Sequence, residues 1–356
     1  MFDGSTTKFP AHKSRDGVEI GNLSLNGNNA LTSEETGFKK TFVQWLDQYL
    51  LHSADAIEVG RDTRRKIVIK KLRFRFITIA VGEEIFNVVR KGMNDAAAAM
   101  QVDADLVGTP GVDSEELLRL TRQAIADGVD GIVLNITEKD RFKEVIANAK
   151  ARSIPVVGFN IDAGRGASGN LSYVAQDLRA AGETLGRRAR SALTSRDRVI
   201  ATLHDDGVWA LEQRLVGIQS ALRDLDLQWK IVTTGQDPAK GAMVLSEALA
   251  QFPASALFGT GQGDTEACGL AARALEDSAP FVAGFDLSPG IVDLITEGFI
   301  AFSIDQQPYV QGFYPVVQLA LYLRYGLMPS SMDAGAAVID RSAVESVRHF
   351  SHQAIR

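Results

Sequence analysis

At 356 residues, 45% of them hydrophobic and 23% charged, the chain has the composition of a soluble globular protein with enough length for two ordinary cores, which excludes the disordered and membrane classes. A formal net charge of −6 argues against a polyanion binder whose affinity rests on neutralising phosphates. A single cysteine, Cys268 in the apolar setting ACGLAA, cannot form an intramolecular disulfide and reads as a small buried hydrophobe.

The first residues, MFDGSTTKFPAHKSRDG, lack the apolar run of a secretory signal, so export requires a leader outside this sequence. No segment approaches the roughly 18 to 20 uninterrupted apolar residues that cross a bilayer. Residues 1–31, rich in Gly, Asn, Ser and charge, read as an irregular arm. Thr32 then caps an expected helix with Glu35 as its third residue. Its apolar face, Phe38, Phe42, Trp45, Leu46, Tyr49 and Leu50, packs either on the main body or on a second copy. The run from Arg61 to Arg75, RDTRRKIVIKKLRFR, carries eight basic residues and one acidic. It reads as a solvated edge strand or connector protected by charge rather than a nucleic-acid contact, because one predicted helix precedes it and a helix-turn-helix reader needs two.

From Arg75 onward strands and helices alternate. FITIAVG leads to a helix over Phe86–Met100, ADLVGT to Ser114–Ala126, GIVLN to Lys139–Ala151, and IPVVGFN closes the set. A second set follows near Asp177: a helix over Leu178–Leu193, RVIATLHD, a helix over Trp209–Leu222, WKIVTTG, Ala239–Ala250, SALFGT, Asp264–Leu275, FVAGFD, Pro289–Glu297 and AFSIDQ. A long helix, Tyr309–Tyr325, and an extended AAVID end the pattern. Almost continuously apolar strands are those of α/β sheets covered by helices on both faces, and two sets predict two parallel sheets with separate cores.

In open α/β sheets ligands settle beyond the carboxyl ends of the strands. Those ends read GEEIF, FNID at 159–162, HDDGVW at 204–209, GQGD at 261–264, FDLS at 285–288 and DQQP at 305–308. Asn160, Asp162, Asp264, Asp286 and Gln306 supply carboxylates and amides there, and Phe86 and Trp209 supply aromatic surface, the combination a polyol needs. Each has a structural alternative: Asp264 and Asp286 as helix caps, Trp209 as core, Asn160 and Gln306 as partners of loop backbone. GTGQGD at 259–264 misses the GxGxxG spacing by one residue, and neither a P-loop nor a GxSxG elbow is present. His204, Asp205 and Asp206 are adjacent and poorly arranged to converge on a metal.

From about Phe76 to Val347 the chain resembles the periplasmic sugar-binding family of ABC importers, of the ribose, galactose and autoinducer-2 binding type. The segments that carry the resemblance are GIVLN, IPVVGFN, EQRLVGIQSAL, FVAGFDLSP and FSIDQQPYVQG, and YPVVQLALYLRYG is similar to a simple-sugar or polyol subgroup. The resemblance implies the periplasmic binding protein type I fold, α/β with two Rossmann-like lobes joined by three crossovers. Lobe 1 is then 74–176 plus 307–335, lobe 2 is 177–306 plus 336–347, and residues 1–73 stand outside both. It implies a sugar or polyol held in the cleft, no cofactor, metal or catalysis, delivery to a membrane permease, a monomer, and a periplasmic or extracytoplasmic setting. Phe86 matches an aromatic that stacks on the sugar, with Ile85 where a second often stands; Asn160 replaces a common aspartate. Glu212 occupies a common arginine position with Arg214 two residues on, an exchange that removes a rigid five-donor fork unless Arg214 takes its place. Asp264, Asp286 and Gln306 fit the pattern. The same fold serves effector domains of lactose-repressor-like regulators, so a cytosolic effector-binding regulator and an autoinducer-2 signal receptor are the rival readings.

Overall fold

The computed structural model describes residues 71–351, 353, 355 and 356. The arm, the helix expected after Thr32 and the basic run up to Lys70 lie outside the described residues. The first sheet is built from β1 (Arg73–Thr78), β2 (Asp103–Gly108), β3 (Gly131–Ile136), β4 (Val156–Asp162) and β5 (Ser172–Ala175). These alternate with α1 (Ile85–Met100), α2 (Ser114–Ala126) and α3 (Lys143–Ala151). The chain then leaves for α4 (Leu178–Ala189), β6 (Arg198–Leu203), α5 (Trp209–Leu222), β7 (Gln228–Thr233), α6 (Pro238–Gln251), β8 (Ala256–Gly259), α7 (Gln262–Ala274), β9 (Phe281–Phe285), α8 (Pro289–Glu297) and β10 (Phe302–Asp305). It returns for α9 (Pro308–Tyr325) and β11 (Met332–Asp333), and crosses again for β12 (Ala337–Asp340) and α10 (Val344–Ser351).

Both sheets have six strands, ordered β11-β5-β4-β3-β1-β2 and β12-β10-β9-β8-β6-β7. Every pairing is parallel except β12, which runs antiparallel to β10 at its sheet's edge. The strand interiors are continuously apolar, as in Phe76, Ile77, Ile132, Val133, Leu134, Val157 and Phe159 of one sheet and Ile200, Leu257, Phe258, Val282 and Phe285 of the other. Each fully buried side chain of this size contributes about 1.5–3 kcal/mol. The elements without a sequence signal, β5, β11 and α10, are too short for periodicity to show.

The described end of the basic run is not an edge: β1 lies between β2 and β3. Arg75 pairs with Asp105 of β2 and with Asp127, and Arg73 donates to the carbonyls of Asp127 and Gly128, so these cations serve the lobe's own acids and loop ends.

Two helix seams set the backbone positions around the cleft. A Cβ at Gly92 would lie 2.0 Å from the Tyr309 carbonyl oxygen and one at Gly312 would lie 1.9 Å from that of Val89, so α1 and α9 meet backbone to backbone. In the second lobe, a Cβ at Gly182 would lie 2.1 Å from the Arg214 carbonyl oxygen and one at Gly217 would lie 2.2 Å from that of Arg179, which seats α5 on α4 in the same way. The three crossings run side by side. The Asp333 carboxylate accepts from the backbone N–H groups of Asp177 and Gly335, and Gln307 Nε2 donates to the Ala334 carbonyl.

Candidate ligand-binding site

A cavity of about 480 Å³ lies beyond the carboxyl ends of both sheets, within the range of small-molecule sites. From the first lobe it is lined by Ile79, Ala80, Glu83, Glu84, Phe86 and Asn160, from the second by His204, Asp205, Arg214, Gln236, Glu266 and Asp286, and from the second crossing by Gln306. Loops of the two lobes meet across it: Gln262 Nε2 donates to Glu84 Oε2 at 3.0 Å and Gln236 Nε2 to Glu83 Oε1 at 3.3 Å. Val208, Trp209 and Ala210, at the start of α5, pack into the hydrophobic cluster of the first lobe.

Asn160 and Asp286 owe their places to backbone rather than to simple strand alternation. Asn160 has φ +58° inside β4, where the register against β3 shifts between Leu134 and Ile136; Asp286 has φ +70° just past β9. Left-handed backbone at a non-glycine residue costs about 1–3 kcal/mol, and it sits here where side chains turn toward a cavity. At Asp286 it is held by the residue's own N–H on the Ile304 carbonyl and by Ser303 Oγ on its carbonyl.

The polar side chains form one connected net. Asn160 Nδ2 donates to Gln311 Oε1 at 3.1 Å, Gln311 Nε2 to Gln306 Oε1 at 3.1 Å, and Gln306 Nε2 to Asp286 Oδ1 at 2.6 Å. Asp286 Oδ2 is 3.5 Å from Arg214 Nη1, whose guanidinium also donates to the Thr260 carbonyl, grips Gln176 Oε1 with two nitrogens at 2.9 and 3.1 Å, and lies 4.3 Å over the Phe285 ring. Gln176 Nε2 closes the row on the Gly335 carbonyl. Gln176, Gln306 and Gly335 thus place one member of the net at each crossing. Burial pushes the Asp286 carboxyl up against the opposing pull of Arg214 and Gln306.

Phe86, Asn160, Arg214, Asp286 and Gln306 line one cavity. The remaining expected residues lie elsewhere. Asp162 is turned to its own loop, accepting from the N–H groups of Gly164 and Gly166 and from Asn170 Nδ2. Glu212 is exposed while Arg214, two residues on, is buried. Trp209 contributes to contact between the lobes instead of to the cavity. Asp264 is fully buried in the first turn of α7, its carboxylate filled by the backbone N–H groups of Thr260 and Gly261 and by the Thr202 hydroxyl, the cap alternative. For α8 the cap is Ser288, whose Oγ accepts from the Ile291 N–H, leaving Asp286 free of that duty.

Sequence reasoning missed Glu83, His204 and Gln311. His204, whose sequence neighbours suit no metal, faces Asp264 and, across the cleft, Glu83. Among the described residues no group of three metal-ligating side chains converges, and no helix is long and apolar enough to cross a membrane.

The sequence model of the periplasmic binding protein domain family matches residues 74–326. The xylose/arabinose-binding protein XylF of Sulfolobus acidocaldarius is 25% identical over 287 residues, 76% of this chain and 71% of that protein. A carbohydrate transporter from Acidothermus cellulolyticus 11B, solved in complex with myo-inositol, is 29% identical with a TM-score of 0.69, covering 80% of this chain and all of that one. An ABC transporter solute-binding protein from Burkholderia graminis C4D1M, solved with D-arabinose, superposes with a TM-score of 0.71 over 78% of this chain and 98% of that one, and at 22% identity it speaks to the fold. Two parallel-dominated six-stranded sheets crossed three times, a cavity at their shared carboxyl ends and a family match through most of the described residues lead to one assignment: the chain belongs to the periplasmic binding protein domain family.

Proposed function

We propose that this protein is a receptor that closes its two lobes on a small sugar or polyol and delivers it to the membrane permease of an ABC transporter, without chemical turnover. The observation that carries the reading is the row of amides, carboxylate and guanidinium from Asn160 through Gln306 and Asp286 to Arg214 along a cavity of about 480 Å³, with Phe86 beside it. A polyol brings hydroxyls that donate and accept together with C–H surface, and this row answers both. In this reading Phe86, Asn160, Arg214, Asp286 and Gln306 contact the ligand and Glu83 and His204 stand beside it. Asp162, Trp209 and Asp264 support the frame.

Closure is a population shift. A ligand that touches both lobes only when they are together supplies the free energy that holds them together. Two relatives set the order of trial ligands, one named for xylose and arabinose and one solved with myo-inositol. The reading places the protein outside the cytoplasm as a monomer.

The test is the thermal unfolding midpoint with a panel of pentoses, hexoses, inositols, linear polyols and autoinducer-2. A ligand at 100 times its dissociation constant adds about 2.7 kcal/mol of apparent stability, a clear upward shift. A flat panel, in folded protein free of copurified ligand, overturns the sugar receptor.

A further inference from the structure

Gln311 does not line the cavity, yet it touches two residues that do. It lies on α9, is fully buried, and follows Gln306 by five residues. We propose that Gln311 is a positioning residue that fixes which way the amides of Asn160 and Gln306 face, and so fixes the donor and acceptor pattern a ligand meets; the inference rests on the receptor reading above.

An amide's oxygen and nitrogen are told apart by the groups they meet. Three anchors of fixed polarity settle the orientation here. Asp286 Oδ1 accepts from Gln306 Nε2 at 2.6 Å while its Oδ2 faces the Arg214 guanidinium, a donor-only partner, at 3.5 Å, so Gln306 Oε1 turns toward Gln311. The Gln306 backbone carbonyl also only accepts, and Gln311 Nε2 donates to it at 2.8 Å. Gln311 Oε1 is left for Asn160 Nδ2 at 3.1 Å. At the far end Asn135 Nδ2 donates to the Phe159 carbonyl and faces Asn160 Oδ1, which agrees with the same sense. One amide hydrogen on Asn160 and one on Gln306 then remain for the cavity that both residues line with Asp286. Because Asn160 belongs to the first lobe's sheet and Gln306 to a crossing, Gln311 also ties that pattern to the relative position of lobe and hinge.

The test uses the full chain, the strongest binder in the panel, and calorimetric affinities from about pH 5 to about pH 8.5 for parent, Gln311→Met and Gln311→Glu. Gln311→Met keeps the volume and removes the amide, and it is expected to bind about tenfold or more weakly at every pH, the worth of one lost polar contact at each lining amide. Gln311→Glu conserves shape. When protonated, its carboxyl accepts from Asn160 and has one hydrogen to donate to Gln306, where the parent amide gives one to the backbone carbonyl and one to Oε1. When ionised it only accepts, forcing the Gln306 N–H toward itself and the Gln306 oxygen toward Asp286. Affinity of Gln311→Glu relative to the parent at the same pH is therefore expected to be highest in acid and to fall about tenfold or more as pH rises. A structural role alone lowers the unfolding midpoint without this pH signature. A flat ratio for Gln311→Glu overturns the inference, as does a folded Gln311→Met that binds within about threefold of the parent, the size of one weak hydrogen bond. Circular dichroism at each pH separates lost fold from lost affinity. A parent that binds no panel member overturns the receptor reading itself.

Discussion

His204 Nε2 on the second lobe stands 3.9 Å from the Glu83 carboxylate on the first, while its Nδ1 lies 3.5 Å from Asp264 Oδ1. Burial pulls the imidazole pKa down, but the hydrogen bond and charge of Asp264, with Glu83 and Asp205, outweigh it, and the net shift is upward. Glu83 is also pushed up, by burial first and then by Asp286, Asp205 and Asp264 against the pull of His204. Both raised groups bind protons more tightly in the closed, folded form. The stability from His204 is complete below its ordinary value of about 6.5 and is lost as pH rises through the raised one. The Glu83 contribution has the same sign, present below the usual carboxylate range and lost as pH rises through its elevated value. Unfolding midpoint and ligand affinity are expected to decline a few-fold in affinity from about pH 6 to about pH 8, and His204→Gln to flatten that slope; a parent profile without slope in this window refutes the coupling.

Arg214 and Asp286 are buried together, so removing one strands the other. Arg214→Met is expected to cost about 3–5 kcal/mol in chemical denaturation, more than any surface arginine. Asp286→Ala, which leaves Arg214 its bonds to Gln176 and the Thr260 carbonyl, is expected to fold and to lose high-affinity binding. Affinity within about threefold of the parent removes Asp286 from the site, since a hydrogen bond to a charged group is worth more than that.

Asp264 and Asp286 are the same residue type near helix starts, and they are expected to behave oppositely. Asp264→Ala leaves the Thr260 and Gly261 N–H groups without their buried acceptor, at about 1–3 kcal/mol of stability, and disturbs binding less than Asp286→Ala. Denaturation and calorimetry on the two variants separate the roles.

Cys268 is fully buried, and burial drives its thiol far above the ordinary range. A thiol reagent is expected to leave the native protein unmodified at neutral pH and to label it fully in denaturant. Labelling as fast as a free thiol would show that α7 opens locally.

The strands and most helices were legible because their apolar runs are long and their ends carry punctuation such as Pro238, Pro289 and Ser288. The site was legible only to the extent that it follows strand ends. Asp264 shows the limit: α7 begins at Gln262, two residues before the expected start at Asp264, which puts the carboxylate in the first turn and onto the backbone. Trp209 likewise lies on an element read correctly, but which surface its ring meets depends on the other lobe. Gln311 gives no signal at all, because a glutamine within a helix reads as surface until the helix is known to lie over a crossing. The left-handed backbone of Asn160 and Asp286 is equally silent in residue types that adopt it only occasionally.

The helix seam between α1 and α9 joins residues made early to residues made late. Gly92 and Gly312 meet backbone to backbone, yet the whole second sheet except β12 is encoded between them. A chain emerging from its N-terminus therefore presents the first lobe's sheet before the helix that covers it, leaving apolar surface open until the second lobe has followed. The second lobe waits in turn for β12, its edge strand. Each lobe takes elements from Pro308 onward, α9 and β11 in the first and β12 in the second, so truncation before Pro308 is expected to remove the native state of both lobes together.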